Sequence, residues 1–290
     1  MEVTLADTWE PLAIPNKHCD YINDHTLYFD KSGNLRLLGT CGRNPYIFYK
    51  ETAFVEFTGT NTLNKMREKR CLFRNNPTRL PKYAPFVFFD KKYHLFFSSI
   101  GKIYHFVSDN GVRWKFAGTP INSYLPFLRD PFILEFNRKY YMFLTEFGNK
   151  IVVYESENLG DFQFKSAALQ LGKGVPRSLF NSSCESPFVL KVGNQFLLFT
   201  TIVPSPTGRV ENYNKTHVFC SQNPFDFGSF KKCKGNTANL ICILDTHAPE
   251  ILTIKNDHYI TTCGWPGYPK PKGISKSENG VFIRKLCINN

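Results

Sequence analysis

Apolar positions in this chain come in short runs of about four to six residues separated by polar turns, not in the i, i+3, i+4 spacing of an amphipathic helix. One such unit recurs five times: DHTLYFDKSGNLRLLGT from Asp24, APFVFFDKKYHLFFSS from Ala84, DPFILEFNRKYYMFLTEF from Asp130, SPFVLKVGNQFLLFTT from Ser186 and APEILTIKNDHYITTCG from Ala248. Each begins with a small or acidic residue and then Pro, with His25 in its place in the first copy. An apolar run, a polar turn and a second apolar run follow, which is the sequence form of a β-hairpin. A third run with a Ser-x-Asn turn follows three of them, at Ser108 to Asn110, Ser156 to Asn158 and Ser221 to Asn223.

The units begin about 46 to 62 residues apart, the length of a four-stranded propeller blade and too long for a leucine-rich or ankyrin repeat. The expectation is an all-β, five-bladed β-propeller occupying residues 1–290 as one domain, with blades starting near Asn23, Tyr83, Arg129, Glu185 and His247. The stretch KETAFVEFTGTNTL after Tyr49 is expected to supply outer strands of blade one. The residues up to about Leu12 are expected to close the ring beside the last blade.

Composition agrees with strands: 28 Phe and 14 Tyr give a 16% aromatic share, while Met is scarce. No run of 18 apolar residues and no leader-like segment is visible, so a soluble chain without a membrane partner is expected, its compartment left open. The net charge of +12 would attract polyanions. Basic residues cluster only modestly, at Lys65 to Arg70, Lys231 to Lys234 and Lys270 to Lys276, and no nucleic-acid motif accompanies them. The charge therefore reads as a solvated surface, and no nucleic acid is expected as a partner. Nine cysteines without a C-x-x-C pair indicate buried thiols, not a zinc ribbon or a redox motif.

The first strand of every propeller blade lines the central channel, so equivalent repeat positions form a ring around one mouth. The repeat starts are Asn23-Asp24, Tyr83-Ala84, Arg129-Asp130, Glu185-Ser186 and His247-Ala248, which brings carboxylates from blades one, three and four together. Crowding three carboxylates costs Coulomb and desolvation energy and drives their pKa values apart. An acid facing a base or nucleophile is the apparatus that cleaves an acetal.

The segments INDHTLYFD, LRDPFILEFNRKYYMF and CESPFVLKVGNQFLLF resemble the Asn-Asp-Pro, Arg-Asp-Pro and Glu-Cys/Gly-Pro motifs of the five-bladed glycoside hydrolases of families 32, 43 and 68, the invertase, levanase and arabinanase-like enzymes. The resemblance runs from Cys19 to Cys287. It implies that Asp24 is the nucleophile or general base, Asp130 orients the sugar and stabilises the transition state, and Glu185 is the general acid. Arg129 would pair with a neighbouring carboxylate or bind a sugar hydroxyl. Asn23, His25, Tyr83, Ser186, His247 and Glu250 are further substrate-binding candidates, and Trp265 could stack on a sugar. The departures are His25 for Pro and Ser186 where family 32 often has Cys.

Each residue also has an ordinary structural reading: an Asx-turn at Asp24, an ion pair between Arg129 and Asp130, a core role for His247, a Lys or Arg partner for Glu250. The function expected is a glycoside hydrolase or transglycosylase acting on an oligo- or polysaccharide, retention favoured over inversion. It would be a monomer with no organic cofactor or catalytic metal, although a structural Ca2+ in the channel is compatible with the resemblance. The alternatives are a non-catalytic propeller that binds a glycan or protein partner, and a glycoside phosphorylase holding phosphate with Arg129 and Arg177.

Overall fold

A computed structural model of the chain describes residues 1–43, 47–60, 62–122, 128–146, 149–171, 184–202, 214–230, 237–264 and 270–289. Its strands form five sheets, antiparallel but for one short parallel pairing, each the blade of a propeller. The chain opens with β1 (Glu2–Ala13). Blade one follows as β2 (Tyr21–Phe29), β3 (Leu35–Gly42), β4 (Phe54–Thr58) and β5 (Arg67–Leu72). Blade two is β6 (Tyr83–Asp90), β7 (Lys92–Ser99), β8 (Lys102–Ser108) and β9 (Lys115–Asn122). Blade three is β10 (Leu128–Phe136), β11 (Lys139–Glu146), β12 (Lys150–Ser156) and β13 (Gln163–Leu171). Blade four has β14 (Cys184–Val192), β15 (Gln195–Ile202), β16 (Lys215–Ser221) and, outermost, β18 (Leu240–Asp245). Between those last two, β17 (Ser229–Phe230) leaves the blade and pairs in parallel with β13, tying blade four to blade three.

Blade five is β19 (Ile251–Ile254), β20 (Asp257–Thr262) and β21 (Val281–Asn289), completed on the outside by β1. The pairing runs from Glu2↔Asn289 to Ala13↔Val281, so the two ends of the chain share one sheet, as expected for the N-terminal segment. An Ile22↔Gly264 bridge and a contact between His25 Nε2 and Thr261 Oγ1 at 2.7 Å join blades one and five near the axis. In blade one the stretch expected to give outer strands supplies β4, while β5 comes from the residues beyond it.

The Ser-x-Asn turns repeat because the serine hydroxyl takes up main-chain N–H groups that no strand satisfies. Ser108 Oγ accepts from Gly111 N at 2.9 Å, Ser156 Oγ from Leu159 N at 3.1 Å and Ser221 Oγ from Asn223 N at 3.0 Å.

The innermost strands carry a second recurring feature. Asp24, Ala84, Asp130, Ser186 and Ala248 all have positive φ, between 42° and 61°, although none is glycine. In blades one to four the strand register shifts at this point, which marks a β-bulge. A non-glycine residue held there is strained, and a bulge re-aims a side chain. All five line one cavity at the channel mouth, with His25, Pro85, Pro131, Pro187, Pro249 and Glu250 around and below them. One step deeper stand Thr26, Phe86, Phe132, Phe188 and Glu250. The rings of Phe86 and Phe132 are 4.9 Å apart and those of Phe132 and Phe188 4.5 Å, so three blades fill the channel below the mouth with aromatic packing. Burying each such side chain contributes about 1.5–3 kcal/mol. Among the described residues no helix is long and apolar enough to cross a membrane.

Candidate active site

The bulges position the acidic residues. Asp24 and Asp130 occupy the same repeat position and line the cavity, which encloses about 300 Å3 including the part open to solvent. Glu185 stands one position earlier, level with Asn23, Tyr83, Arg129 and His247. The carboxylates thus come from two successive rings, Asp24 8%, Asp130 3% and Glu185 4% exposed.

Hydroxyl side chains at the ends of the second strands hold this corner of each blade. Ser98 Oγ donates to the Tyr83 carbonyl at 3.2 Å, Thr145 Oγ1 to Asp130 Oδ2 at 2.9 Å, and Thr200 Oγ1 to the Glu185 carbonyl at 2.8 Å. In blade five Thr262 Oγ1 accepts from His247 N at 3.0 Å.

Arg129 ties the acids together. Its Nη2 is 2.5 Å from Glu185 Oε2 and its Nη1 3.3 Å from Asp130 Oδ2. Asp130 Oδ2 also accepts from the Ser186 N–H at 3.2 Å, across the blade boundary. His247 donates from Nδ1 to the Cys263 carbonyl at 3.0 Å, which aims Nε2 at Glu185 Oε1, 3.8 Å away.

These contacts split the titrations. Burial opposes ionisation of Glu185, but Arg129 and His247 outweigh it and hold the carboxyl below its usual range. Among the described residues Asp24 has no such contact: burial, then the Asp130 charge, with a smaller push from Glu185, raise it to about 7 against the pull of His247 and Arg129. Asp130 is also raised, by burial that Arg129, Ser186 and Thr145 do not fully offset.

The other expected residues fall around this core. Tyr83 is half-buried, its phenol pushed up by burial and by Glu51, with Arg129 pulling the other way. His25 lines the cavity, but its Nε2 is committed to Thr261, and burial lowers its pKa to about 3, so it is neutral. Ser186 and Glu250 line the cavity as well. Glu250 is held well above the carboxylate range by burial, with Thr26 as a hydrogen-bond partner and Asp24 nearby. Asn23 is buried beside Asp24. Arg177 and Trp265 lie outside the described residues.

One acidic residue had no repeat position to betray it. Glu51, in the connector between β3 and β4, is buried and within reach of Asp24, Tyr21, Asn23 and Tyr83. Nothing in the local sequence distinguishes it from any charged residue of a loop.

The described residues contain no group of three His, Cys, Asp or Glu side chains arranged to hold a metal ion. Ca2+ takes six to eight oxygen ligands, and of the acids of the mouth Glu185 and Asp130 are bound to Arg129, Asp130 also to Thr145, and Glu250 to Thr26. They do not fit a Ca2+ site.

No family model and no curated protein sequence matches the chain. Solved structures do. The catalytic domain of the Coprinopsis cinerea family 62 α-L-arabinofuranosidase aligns at a TM-score of 0.65 and 12% identity over 96% of each chain. The Cellvibrio cellulosa α-L-arabinanase, solved with arabinohexaose, aligns at 0.63 and 15% over 83% of this chain and 86% of that one. The Bombyx mori family 32 β-fructofuranosidase aligns at 0.61 and 12% over 97% of this chain and 61% of that one. This protein has the five-bladed propeller fold of these glycoside hydrolases.

Proposed function

We propose that the protein cleaves or transfers a glycosidic bond of an oligo- or polysaccharide, with Asp24 and Glu185 as the acid and base or nucleophile pair and Asp130 as the residue that orients the sugar. The observation that carries this reading is the unequal protonation of two buried carboxyl groups at one mouth. Acetal cleavage needs one carboxyl protonated and one ionised. Below about pH 7 Asp24 is mostly protonated, while Arg129 and His247 favour the ionised form of Glu185.

The resemblance assigns the roles the other way, with the proton on Glu185. Moving one proton from Asp24 to Glu185 interconverts the two arrangements without changing the charge of the site. The Arg129 contact is what holds Glu185 ionised. A sugar hydroxyl that draws Arg129 away from Glu185 would raise the Glu185 pKa and favour the working form. Retention is the stereochemical outcome expected, read from the anomer first formed by 1H NMR.

The charge of the mouth favours an uncharged sugar. Among the described residues the guanidinium that contacts the acids, that of Arg129, is already shared between two of them, and a phosphate or uronate would face Asp24, Asp130 and Glu185. A phosphorylase role for Arg129 is therefore disfavoured.

The test is cleavage of aryl furanosides and pyranosides, fructans, arabinans and xylans by the wild type and Glu185→Gln. Cleavage by the wild type that the variant loses supports the reading, with rescue of activated aryl substrates by azide as a further mark of a lost acid or base. Cleavage untouched by the substitution overturns the role of Glu185. Binding of a glycan without cleavage favours a non-catalytic propeller. A channel Ca2+ is tested by thermal unfolding with and without EDTA, where a fall restored by Ca2+ would reveal the ion.

A further inference from the structure

In blades one to four the residue just before the bulge pairs directly with a hydroxyl residue of the second strand: Asn23 with Thr40, Tyr83 with Ser98, Arg129 with Thr145 and Glu185 with Thr201. Three of these hydroxyls are engaged. Ser98 Oγ donates to the Tyr83 carbonyl at 3.2 Å, Thr145 Oγ1 donates to Asp130 Oδ2 at 2.9 Å, and Thr201 Oγ1 accepts from the Ala248 N–H at 3.1 Å. Thr40 is the exception. It is 0% exposed, and among the described residues its Oγ1 has no hydrogen-bond partner. A buried hydroxyl left unpaired is a cost that a purely structural position avoids, since valine has nearly the same shape without it.

Blade three shows what this hydroxyl can reach. Asp24 and Asp130 hold the same place in the repeat, each with positive φ, 42° and 61°, and each one residue after the pair that contains the threonine. The register slips by one residue at that point in both blades. Thr40 is therefore set against Asp24 as Thr145 is against Asp130. The second strand also passes close to the bulge in blade one: its Gly39 precedes Thr40, and a Cβ there would lie 3.6 Å from the Asp24 carbonyl oxygen. The two carboxyls differ in their partners. Asp130 Oδ2 accepts from Thr145 and from the Ser186 N–H, whereas among the described residues the Asp24 carboxyl accepts from no donor.

We propose that Thr40 is the positioning residue of Asp24: when Asp24 gives up its proton, a turn of its side chain lets the carboxylate accept the Thr40 hydroxyl, as Asp130 accepts that of Thr145. The proton is the one that passes to Glu185 in the working form, so the hydroxyl supports the ionised Asp24 that acetal cleavage then uses. While Asp24 is protonated, as burial and the Asp130 charge keep it below about pH 7, the hydroxyl stays idle. The titratable and charged groups that face Asp24 are Asp130 and Arg129 on β10, Glu185 on β14, His247 and Glu250 beside β19, Cys263 after β20, Tyr83 on β6 and Glu51 on the connector between β3 and β4. All of them stay in place when Thr40 is altered, so a comparison of Thr40 variants isolates the hydroxyl. Its role in turnover rests on the glycosidase reading; the hydrogen bond to Asp24 does not.

The first test is a carboxyl 13C NMR titration of Asp24 in the wild type, in Thr40→Val, which removes the hydroxyl, and in Thr40→Ser, which keeps it. The midpoint is expected to rise by about one pH unit or more in the valine variant and to stay within about half a unit of wild type in the serine variant. A midpoint unmoved by valine would overturn the inference. Thermal unfolding reads the same bond independently. Thr40→Val is expected to match or exceed the wild type at pH 5, where the hydroxyl is idle, and to lose ground as pH rises through 7 and Asp24 ionises. An equal difference at pH 5 and pH 8 would mean that Thr40 contributes through packing alone, and would overturn it. On a glycoside that the wild type cleaves, kcat is expected to fall about tenfold or more in Thr40→Val with KM within about threefold, and Thr40→Ser to recover most of the loss. A change in KM alone would overturn the positioning role. If the wild type cleaves no glycoside, the glycosidase reading fails by itself, and the titration and the unfolding curves still decide whether Thr40 serves Asp24.

Discussion

Arg129 and Glu185 stand level with each other on neighbouring blades, and the 2.5 Å contact between Nη2 and Oε2 fixes where the negative charge of the mouth resides. The same guanidinium reaches Asp130 Oδ2 at 3.3 Å, so one cation serves two acids and Asp24 is left to keep its proton.

Replacing Arg129 by Gln should destabilise the protein, because two buried carboxyl groups would lose their cation. Removing one partner of a buried pair typically costs about 3–5 kcal/mol. The loss should be larger at pH 8 than at pH 5, since Glu185 and Asp130 can take up protons at the lower pH once the guanidinium is gone. Urea unfolding at the two pH values measures it. An equal loss at both would mean that the pair contributes through packing alone.

The pH dependence of catalysis follows from the shared proton. Asp24 and Glu185 interact, so the titration belongs to the pair. Whichever residue donates the proton, the site loses it as pH rises through about 7, the value to which Asp24 is raised. On a glycoside that the protein cleaves, kcat/KM should therefore fall about tenfold per pH unit above that value. A profile flat from pH 6 to 9 would show that this proton takes no part.

The fold was legible because a propeller repeats its hairpin, and the five copies could be laid on one another before any strand was assigned. The convergence of Asp24, Asp130 and Glu185 was legible for the same reason, since equal repeat positions occupy one ring. The pairing of Arg129 with Glu185 was only partly so: sequence adjacency suggested Asp130 as its partner, but the shorter contact is to the acid on the next blade. Residues that act from connectors escaped altogether. Glu51 and Lys82 meet through a loop whose path depends on the packing of blades one and two, and no period predicts that. Nor does the sequence show that His25, which stands in place of Pro in blade one, meets Thr261 where the ring closes.

That closure gives the last prediction. Asp24 and His25 are adjacent and buried, and their titrations tilt stability in opposite directions with pH. Asp24 has a folded-state pKa of about 7, above its ordinary 3.8, so the folded chain holds the extra proton between those values and stability falls as pH rises through the window. His25 is lowered from 6.5 to about 3, so the unfolded chain holds the extra proton and stability falls as pH drops below 6.5. Asp24→Asn should thus gain on the wild type as pH rises from 5 through 7, by up to about 3 kcal/mol at one pKa unit per 1.4 kcal/mol. His25→Gln, which can still donate to Thr261 Oγ1, should gain on the wild type as pH falls from 6.5 to 5, by up to about 2 kcal/mol. Thermal unfolding of the two variants across pH 5 to 8 measures both, and the curves, taken as differences from the wild type, should slope in opposite senses. Parallel slopes would mean that one of the two residues exchanges its proton with solvent as freely in the folded chain as in the unfolded one.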